Sequence, residues 1–363
     1  MKIVQLVFTL GPGGGAKFVT NLSNELAEMG HEVYVMQVRN DQDTFDIYFN
    51  KKFLSSKVKY LNLGLTKGFS LKKALTVMKS IIKLRPNIVH SHLNVLPYYY
   101  LLTPLPLNIK FIHTLHSVAE KETEIKWQQK INHWIYKYGL ITPITISDEC
   151  RLSFIDLYKL PSPICINNGT PPMQASSKIK LALNELNKLK STHSSKIFLH
   201  VARFDEAKNQ GMLIDSFNQL CSDNYDVELV IIGDRFDTPE GIKLQHRACN
   251  RIHFIGTRPN IGDYMLNSDF FVLSSLWEGL PISLIEALSA RLTPISTPAG
   301  GIPNVIKDGQ NGFLSADFNK ESYIHTIKRA LVTPVDSDVV YNSYLEKFAM
   351  DICAKTYEKT YNS

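Results

Sequence analysis

The sequence predicts an α/β fold made of two doubly wound domains. Short β-branched runs alternate with amphipathic helical stretches, which is typical of buried parallel strands joined by helices. A glycine-rich turn directly follows the first of these runs. The chain has 363 residues, more than one hydrophobic core comfortably accommodates, so its length predicts two domains.

The elements can be placed in chain order. In the first half, strands are predicted at 3–8, 33–38, 88–91, 111–115 and 142–146, with helices at 18–28, 71–84 and 125–138. In the second half, strands are predicted at 197–202, 228–232, 252–255, 270–273 and 293–296, with a helix at 211–220. The turn-rich stretch 167–195 joins the halves, with a hinge from about Pro161, and 341–361 is helical in period.

Composition excludes several classes of protein. Hydrophobic residues make up 44% and charged residues 20%, the balance of a folded globular chain. The five cysteines are widely spaced and form no CxxC pair, so neither a disulfide framework nor a zinc site is expected. This cysteine usage fits a protein of the reducing cytoplasm. The apolar run 3–10 could belong to a signal peptide, but we interpret it as the first strand. No run of eighteen apolar residues occurs, so no membrane span is expected.

Charge is unevenly distributed along the chain. Residues 1–170 carry a net charge of +8 and residues 171–363 a net charge of −2, counted over Lys, Arg, Asp and Glu. The basic half could face an anionic membrane or acceptor, or could simply be solvated. Lysines flank apolar stripes in the helices predicted at 71–84 and 125–138. Such stripes are typical of core faces, with membrane contact as the alternative; one holds Trp127, Ile131, Trp134 and Tyr138.

The turn after the first strand reads Gly-Pro-Gly-Gly-Gly-Ala over 11–16, with a helix expected from about Lys17. Glycines let the backbone approach a phosphate at a helix N-terminus. Ala16 stands where the last glycine of GxGxxG would fall, and no acidic residue ends the second strand as an NAD site requires. The turn is therefore either a phosphate or sugar contact or an ordinary α/β turn.

Histidines follow two neighbouring strands. His90 and His92 end one strand, and His113 and His116 end the next. Strand C-termini border the ligand crevice of an open parallel sheet, which favours His92 and His116 as ligand contacts. The alternatives are hydrogen-bonded structural histidines or a zinc site, although no acidic residue or cysteine joins them at ligand spacing.

Two further segments follow strands in the second half. Arg203 and Lys208 lie in a strand-to-helix turn, where fixed cations and a helix N-terminus suit a diphosphate. Glu278 lies in the turn after the strand at 270–273, and Glu286 lies in the helix that Pro281 is suited to begin. Carboxylates accept hydrogen bonds from vicinal sugar hydroxyls; the alternatives are solvated cations and surface glutamates. Turns at 297–303 and 308–313 are interpreted as crevice loops.

In this order and spacing, the segments resemble the retaining glycosyltransferases of the group-1 class, often called family 4. The resemblance covers the motifs at 11–16, 90–92, 113–117, 145–147, 167–169, 203–208, 278–286, 300–301 and 308–309. It implies the GT-B fold, two Rossmann-like domains facing across a cleft. It also implies an acceptor-binding domain at 1–162, a donor-binding domain at 163–343, and a helix at 344–363 that returns to the first domain.

The resemblance also implies roles for individual residues. Arg203 and Lys208 resemble the diphosphate-binding pair of the family. Glu286 resembles its ribose-binding carboxylate, and Glu278 resembles the residue that contacts the donor sugar. Of these, Arg203, Lys208 and Glu278 are candidate catalytic residues. His116 would lie beside the transferred sugar as a fourth. The further donor-binding residues are Gly13, Gly14, Gly15, Gly256, Arg258, Gly279, Leu280, Pro281 and Ile282. Arg291 stands where the family usually has glycine, and Asn304 where it commonly has glutamate.

The function implied is retaining transfer of a hexose from a UDP-sugar to a hydroxyl of a glycan or lipid-linked acceptor, in bacterial capsule, lipopolysaccharide or exopolysaccharide synthesis. No cofactor and no metal ion is expected, because Arg203 and Lys208 can stabilise the departing diphosphate. Two Asp-x-Asp sequences, 41–43 and 336–338, match a metal motif but lie in polar segments.

Three alternatives remain open at this point: a nucleotide-sugar 2-epimerase of the same architecture, an inverting transferase, and a non-catalytic sugar-nucleotide binding protein. The first glycine-rich turn lacks the histidine base that an inverting enzyme would use. No nucleic-acid partner is expected. The expected location is the cytoplasm, with peripheral contact at the inner face of the plasma membrane as a further possibility.

Overall fold

The computed structural model describes residues 1–40 and 49–363, which form two compact units. Unit 1 comprises Met1–Thr170 together with Phe348–Ser363, and unit 2 comprises Pro171–Lys347. Each unit has its own parallel β-sheet with helices packed against it.

The strands are numbered in chain order. Those of unit 1 are β1 (Lys2–Val7), β2 (Glu32–Arg39), β3 (Lys59–Leu65), β4 (Ile88–His92), β5 (Lys110–Leu115), β6 (Thr142–Thr145) and β7 (Ile164–Cys165). Those of unit 2 are β8 (Lys196–Val201), β9 (Val227–Ile232), β10 (Ile252–Gly256), β11 (Phe270–Leu273), β12 (Thr293–Ser296) and β13 (Phe313–Leu314).

The α-helices are numbered in the same way. Unit 1 contains α1 (Gly14–Glu28), α2 (Leu71–Leu84), α3 (Ala119–Glu122), α4 (Lys126–Lys137), α5 (Asp148–Tyr158) and the last helix, α13 (Met350–Asn362). Unit 2 contains α6 (Ile179–Leu189), α7 (Gln210–Ser222), α8 (Pro239–His246), α9 (Ile261–Met265), α10 (Ile282–Ser289), α11 (Lys320–Val332) and α12 (Ser337–Lys347).

The sheet of unit 1 has the order β3-β2-β1-β4-β5-β6-β7. Its direction of growth reverses at β1, since β2 and β4 flank that strand, and all the pairings are parallel. Strand β1 is almost wholly buried because it is apolar on both faces, as parallel strands covered by helices usually are. Such a switch point places loops from β1 and β4 side by side at the carboxyl edge of the sheet.

The sheet of unit 2 has the order β10-β9-β8-β11-β12-β13 and is also parallel. Its switch point lies between β8 and β11, which pair through Phe270 with Phe198 and Phe271 with Leu199. A hydrophobic core on one face of the sheet, including Phe198 of β8, Phe217 of α7 and Tyr323 of α11, holds the strands together. The loops after β8 and β11 therefore leave the sheet next to each other.

The predicted elements are present, and three details differ. The first helix begins at Gly14 instead of Lys17, because glycines 14 and 15 already have helical hydrogen bonding. Strands β3, β7 and β13 were not predicted; β3 and β13 lie at sheet edges and β7 has only two residues. The stretch 341–361 is not one helix but parts of α12 and α13, separated at residues 348–349.

The chain is also divided between the units at positions that differ from the expected domain boundaries. The division falls after Thr170 instead of residue 162, because Ile164–Cys165 pairs with β6 of unit 1. The final segment of unit 1 begins at Phe348 instead of residue 344. There α13 packs on α1, and Thr170 forms a bridge with Ala349.

The expectation that the apolar stripe of α4 is a core face is wrong. Trp127, Ile131, Trp134 and Tyr138 are exposed, while the buried face of α4 is formed by Gln128, Asn132, Ile135 and Tyr136. Polar Gln128 and Asn132 are accommodated inside because each finds hydrogen-bond partners there. On α2, by contrast, the stripe of Ala74, Val77, Met78 and Ile81 is buried.

Candidate active site

The site is centred in unit 2 on an ion pair between two loops at the switch point. The Nζ atom of Lys208, in the loop after β8, donates to Oε1 of Glu278, in the loop after β11, over 2.5 Å. The hydroxyl of Ser275 donates to the same oxygen over 2.7 Å. Glu278 is only 9% exposed, so this carboxylate is held in one position by two donors.

Hydrogen bonds fix the backbone of the lysine loop. Asp205 caps the 3₁₀ turn Glu206–Lys208 by accepting from the amide of Ala207. The amide of Leu276 donates to the carbonyl of Ala207 over 2.8 Å, and the hydroxyl of Ser274 donates to the carbonyl of Lys208 over 2.7 Å. The loops after β8 and β11 are therefore joined through their backbones as well as through Lys208 and Glu278.

A double-glycine turn supports Glu278 from the other side. Gly300 has a φ of +53°, and a Cβ built there would lie 1.9 Å from the carbonyl oxygen of Glu278. The amide of Gly301 donates to the carbonyl of Gly279 over 3.0 Å. Only glycine fits at position 300, because both the backbone conformation and the space exclude a side chain.

Glu286 lies inside α10 and is 3% exposed. The helix begins at Ile282, and Pro281 is its N-cap instead of its first residue. Leu280, Pro281 and Ile282 are buried as well, so these three predicted donor-binding residues have side chains packed in the protein. Any contact they make with a ligand would have to involve the backbone.

Arg203 is placed differently from Lys208. Its guanidinium is exposed and pairs with Asp205 of the same loop, with Nη2 3.1 Å from the carboxylate. Arg235, in the loop after β9, lies 3.9 Å from the same carboxylate. Sequence reasoning missed Arg235, although a basic residue directly after a strand was the signal that identified Arg203.

Gly256 is the last residue of β10 and Arg258 follows that strand, which β9 separates from β8. They share the carboxyl edge of the sheet but are not adjacent to the Lys208–Glu278 pair. The guanidinium of Arg258 donates to Glu185 over 2.6 Å and to the Tyr264 hydroxyl over 3.0 Å. The Arg258 side chain therefore joins α6 to α9, and only its backbone is left for recognition.

In unit 1, the glycine-rich turn is anchored from two sides. The amide of Leu10 donates to the Gln37 side chain over 3.1 Å, and the Asn50 side-chain amide donates to the Gly11 carbonyl over 2.6 Å. A Cβ built on Gly15 would lie 3.4 Å from the Leu93 side chain and 3.8 Å from Cγ of His116. The start of α1 thus lies against the loops after β4 and β5, whereas Gly13 has open space around it.

The four histidines lie together in this unit. The hydroxyl of Thr114 lies 2.7 Å from Nε2 of His90, and Nδ1 of His113 lies 2.9 Å from the Ser91 hydroxyl. Nδ1 of His92 lies 3.0 Å from Nε2 of His116. His90, His92 and His113 are buried, and only His116 is partly exposed. The structural interpretation therefore applies to three of the histidines, and His116 is the one a ligand could reach.

Burial keeps the histidines uncharged at neutral pH. It lowers the pKa of His113 to about 3 and that of His116 to about 4. It holds the pKa of His90 and of His92 well below the usual range, with the neighbouring histidines adding to the effect. A neutral imidazole has one donor and one acceptor nitrogen, so each ring has a definite polarity.

Within residues 1–40 and 49–363, no cluster of three or more His, Cys, Asp or Glu side chains is suited to hold a metal ion. In the Asp-x-Asp sequence at 336–338, Asp336 accepts from the amide of Asp338, and Asp338 pairs with Arg291. The other such sequence, Asp41 to Asp43, lies outside the described residues.

The two departures from the family pattern have local explanations. Arg291 has a φ of +62° after α10, a conformation that favours glycine, and it is held by Asp338 and by the ring of Tyr341 at 4.3 Å. Asn304 ends the 3₁₀ turn Ile302–Asn304 beside the double glycine. Neither residue belongs to the Lys208–Glu278 contact.

Comparison with known proteins decides the family. Residues 12–171 match the family model described as Glycosyltransferase Family 4, and residues 183–347 match the model described as Glycosyl transferases group 1. The chain belongs to the group 1 glycosyltransferases. The two matches correspond to the two units, so each unit carries its own part of the family pattern.

Two curated relatives of this glycosyltransferase illustrate the range of chemistry in the family. It is 23% identical over 310 residues to N-acetyl-alpha-D-glucosaminyl L-malate synthase of Bacillus anthracis, covering 83% of this chain and 80% of that one. It is 25% identical over 288 residues to the UDP-Gal:alpha-D-GlcNAc-diphosphoundecaprenol alpha-1,3-galactosyltransferase of Escherichia coli, covering 74% and 72% of the two chains.

Solved structures share the fold of this glycosyltransferase. Anabaena Alr3699/HepE, solved in complex with UDP and glucose, has a TM-score of 0.80 at 17% identity and covers all of both chains (100% and 100%). A glycosyltransferase from Rickettsia africae has a TM-score of 0.81 at 18% identity, covering 99% of this chain and 97% of that one. The group 1 glycosyltransferase described here therefore has the GT-B fold, with two Rossmann-like units. Among the described residues, no helix is both long and apolar enough to cross a bilayer.

Proposed function

We propose that the chain is a retaining hexosyltransferase that uses a UDP-sugar and a hydroxyl acceptor on a glycan or lipid-linked glycan of a bacterial surface polysaccharide. The observation that carries this proposal is the Lys208–Glu278 pair at the switch point of unit 2. UDP is chosen because HepE was solved with UDP and glucose, and because the Escherichia coli relative is named for a UDP-Gal donor.

Unit 2 is proposed to bind the donor. Lys208 would form an ion pair with the diphosphate. Arg203, which is exposed and pairs with Asp205, would turn towards the diphosphate as well. Glu278 would accept hydrogen bonds from the hexose, and Glu286 from the ribose. As the anomeric C–O bond breaks, negative charge develops on the diphosphate, and Lys208 together with the reoriented Arg203 would stabilise that charge without a metal ion.

Unit 1 is proposed to bind the acceptor. The acceptor hydroxyl oxygen bonds to the anomeric carbon on the face from which the diphosphate leaves, and a phosphate oxygen accepts the hydroxyl proton. The products are the nucleoside diphosphate and a glycoside with the donor's anomeric configuration. Neutral His116, beside the start of α1, would contact the sugar as it is transferred.

Nucleotide binding can be tested before an acceptor is known. A thermal-shift panel of UDP, GDP, ADP and their sugars should show a selective rise in melting temperature with UDP and UDP-hexoses. Lys208→Met should reduce that rise, while Lys196→Met should not, because Lys196 lies at the opposite end of β8 and pairs with Asp269. Equal shifts for all three nucleotides, or an unchanged UDP shift in Lys208→Met, would contradict the donor assignment.

Turnover separates transfer from epimerisation. The acceptor panel should contain an undecaprenyl-diphosphate-linked GlcNAc and L-malate, two acceptors suggested by the names of the two curated relatives. Transfer yields free UDP and a new glycoside. An isomerised donor without a glycoside would indicate a nucleotide-sugar 2-epimerase instead.

The exposed face of α4 supports a membrane-bound acceptor. Trp127, Ile131, Trp134 and Tyr138 are spaced along one side of the helix, and Lys137 lies over the Trp134 ring at 5.1 Å. Aromatic side chains beside lysines are typical of helices that lie in the interface of an anionic bilayer. Peripheral attachment of unit 1 through this α4 face is therefore part of the proposal.

Vesicle sedimentation tests the attachment. The chain should sediment with vesicles that contain anionic phosphatidylglycerol more than with neutral phosphatidylcholine vesicles, and added salt should weaken that binding. Trp134→Ala should lower the bound fraction several-fold, since roughly half of that large side chain is available for insertion. Leu181→Ala, an exposed apolar position in unit 2, is the control. Equal effects of the two substitutions would exclude the α4 face.

A further inference from the structure

A chain of buried hydrogen bonds leads to His116 from the interior of unit 1. The side-chain oxygen of Gln5, on β1, lies 2.6 Å from Nε2 of His92, on β4. Nδ1 of His92 lies 3.0 Å from Nε2 of His116 in the loop after β5. Gln5 and His92 are fully buried, so neither can exchange these partners for water.

The first link assigns the proton of His92. A carbonyl oxygen only accepts hydrogen bonds, so Nε2 of His92 must donate to Gln5. The amide of Gln5 is oriented by α13, because its nitrogen donates to the hydroxyl of Tyr361 at 3.4 Å. That hydroxyl also lies 2.8 Å from Nδ1 of His90. The last helix of the chain thereby determines which end of the amide His92 meets.

The second link assigns the proton of His116. His92 is uncharged and its proton is on Nε2, so its Nδ1 holds a lone pair and accepts from Nε2 of His116. His116 is uncharged as well, because burial lowers its pKa to about 4. Its single proton is therefore on Nε2, and its Nδ1 is an acceptor.

The accepting nitrogen is the one left for a ligand. Within residues 1–40 and 49–363, Nδ1 of His116 has no hydrogen-bond partner. This nitrogen is not fully buried, so a ligand can reach it. The ring carbon bonded to it, Cγ, lies 3.8 Å from where a Cβ on Gly15 would be. The free nitrogen thus belongs to the partly exposed histidine beside the glycine-rich turn.

We infer that Gln5 and His92 are positioning residues that hold His116 in the Nε2–H tautomer, so that its Nδ1 accepts a hydrogen bond from a hydroxyl group of the substrate. The inference rests on the proposed function for the identity of that hydroxyl as part of a sugar or acceptor. A fully ionised phosphate has no proton to donate, so this tautomer favours a hydroxyl over a phosphate at His116.

The tautomer can be measured on the free protein, without any substrate. Histidine-selective ¹⁵N labelling with long-range ¹H–¹⁵N correlation spectra distinguishes the protonated from the unprotonated ring nitrogen, and His116→Gln assigns the signal. We expect wild-type His116 to carry its proton on Nε2. A proton on Nδ1 would overturn the inference, because the Gln5 amide would then have the opposite orientation.

A variant series tests whether Gln5 is responsible. Gln5→Leu removes the acceptor, so His92 should transfer its proton to Nδ1 and His116 should shift towards the Nδ1–H tautomer. Gln5→Glu keeps an acceptor at the same place and should restore the Nε2–H form. Thr114→Val is the matched control, because it removes a buried partner of His90 and leaves the Gln5–His92–His116 chain intact. An unchanged tautomer in Gln5→Leu would contradict the positioning role.

Kinetics provide the second measurement. We expect kcat/KM for transfer to fall roughly tenfold in Gln5→Leu, to recover in Gln5→Glu, and to change by less than about twofold in Thr114→Val. Equal losses in Gln5→Leu and Thr114→Val would mean a purely structural role. If the protein shows no transfer at all, the proposed function fails, whereas the tautomer measurement still decides the inference about His116.

Discussion

At the scale of single residues, the proposed sugar transfer depends on how Glu278 is held. A carboxylate that is almost buried accepts from both Lys208 and Ser275 at short distances. A buried charge is tolerated when it is paired and hydrogen-bonded, and both conditions are met here. The positive charge of Lys208 is thus partly neutralised by Glu278. An arriving diphosphate would share Lys208 with that carboxylate.

Glu278→Gln tests this arrangement. The amide keeps the size of the side chain but loses its charge and one acceptor oxygen, so we expect kcat to fall about 10²-fold with little change in unfolding free energy. Steady-state kinetics and urea unfolding give the two quantities. Glu240→Gln, at an exposed position on α8, is the control and should keep full activity. Full transfer activity in Glu278→Gln would contradict the role given to this residue.

Sequence reasoning identifies these residues but not their pairings. The Arg-x4-Lys and Glu-x7-Glu spacings place three side chains in turns after strands and Glu286 in the helix that follows, because strands, turns and helices are visible in local patterns. Which acid meets which base depends on sheet order, and β8 and β11 are adjacent only through a crossover. The spacing of the residues therefore does not predict the contact of Lys208 with Glu278 or the ion pair of Arg203 with Asp205.

At the scale of elements, the turn containing Gly300 is the least replaceable part of the site. A Cβ there would collide with the Glu278 backbone, and the positive φ adds strain of its own. The residue fixes where the Glu278 loop can lie. Stability and catalysis are therefore coupled at this position.

Gly300→Ala should lower the free energy of unfolding by roughly 3 kcal/mol or more, because the Glu278 loop must move. Gly309→Ala is a matched control: Gly309 also has positive φ, at +73°, but nothing lies within 4 Å of the added methyl. There the cost should be about 1 kcal/mol, the cost of the backbone conformation alone. Urea unfolding measures both, and equal losses would show that contact with Glu278 is unimportant.

The elements also show where sequence patterns mislead. Amphipathicity in α4 identifies two faces correctly, but the pattern assigns the aromatic face to the core, whereas the core side holds Gln128 and Asn132. Those polar residues find partners in Asn94, Thr123 and Tyr100, which are distant in sequence. Helical periodicity shows which residues share a face of the helix. Contacts with the rest of the protein determine which face is buried.

At the scale of the whole molecule, buried histidines link stability to pH. Burial keeps five of them uncharged. It lowers the pKa of His90 and of His92 well below the usual range, that of His113 to about 3, and those of His116 and His200 to about 4. In the unfolded chain these groups have pKa values near 6.5. The unfolded state therefore binds more protons below that pH, and acid favours unfolding.

Glu122 acts in the opposite direction. Burial raises the pKa of its carboxyl to about 8, so the folded protein binds this proton at a higher pH than the unfolded chain does. Between pH 7 and pH 5.5, His113, His116 and His200 should each cost about 1 kcal/mol and Glu122 should return about 2 kcal/mol. His90 and His92, whose pKa values are also lowered, add to the loss. The net fall in unfolding free energy between these pH values should therefore exceed about 1 kcal/mol, and stability should keep falling as the pH approaches the lowest histidine pKa values. Urea unfolding at the two pH values measures it, and equal stability would show that the histidines are not held neutral.

The two-unit architecture follows from the sequence more directly than the site does. Alternating strands and helices predict two parallel sheets, and both are present with their switch points. The boundary after Thr170 is not visible locally, because the short strand β7 and the bridge from Thr170 to Ala349 depend on partners elsewhere in the chain. Fold class is encoded in periodicity, whereas boundaries and pairings arise only in three dimensions.

The central claim, retaining transfer of a sugar from a UDP-hexose, is tested most directly by proton NMR of the complete reaction. The sample contains the protein, a UDP-α-hexose and the acceptor panel, and the spectra follow the anomeric protons of donor and product. The account predicts free UDP together with a new glycoside in the α configuration of the donor. A β-glycoside, or an isomerised donor with no glycoside formed, would contradict it.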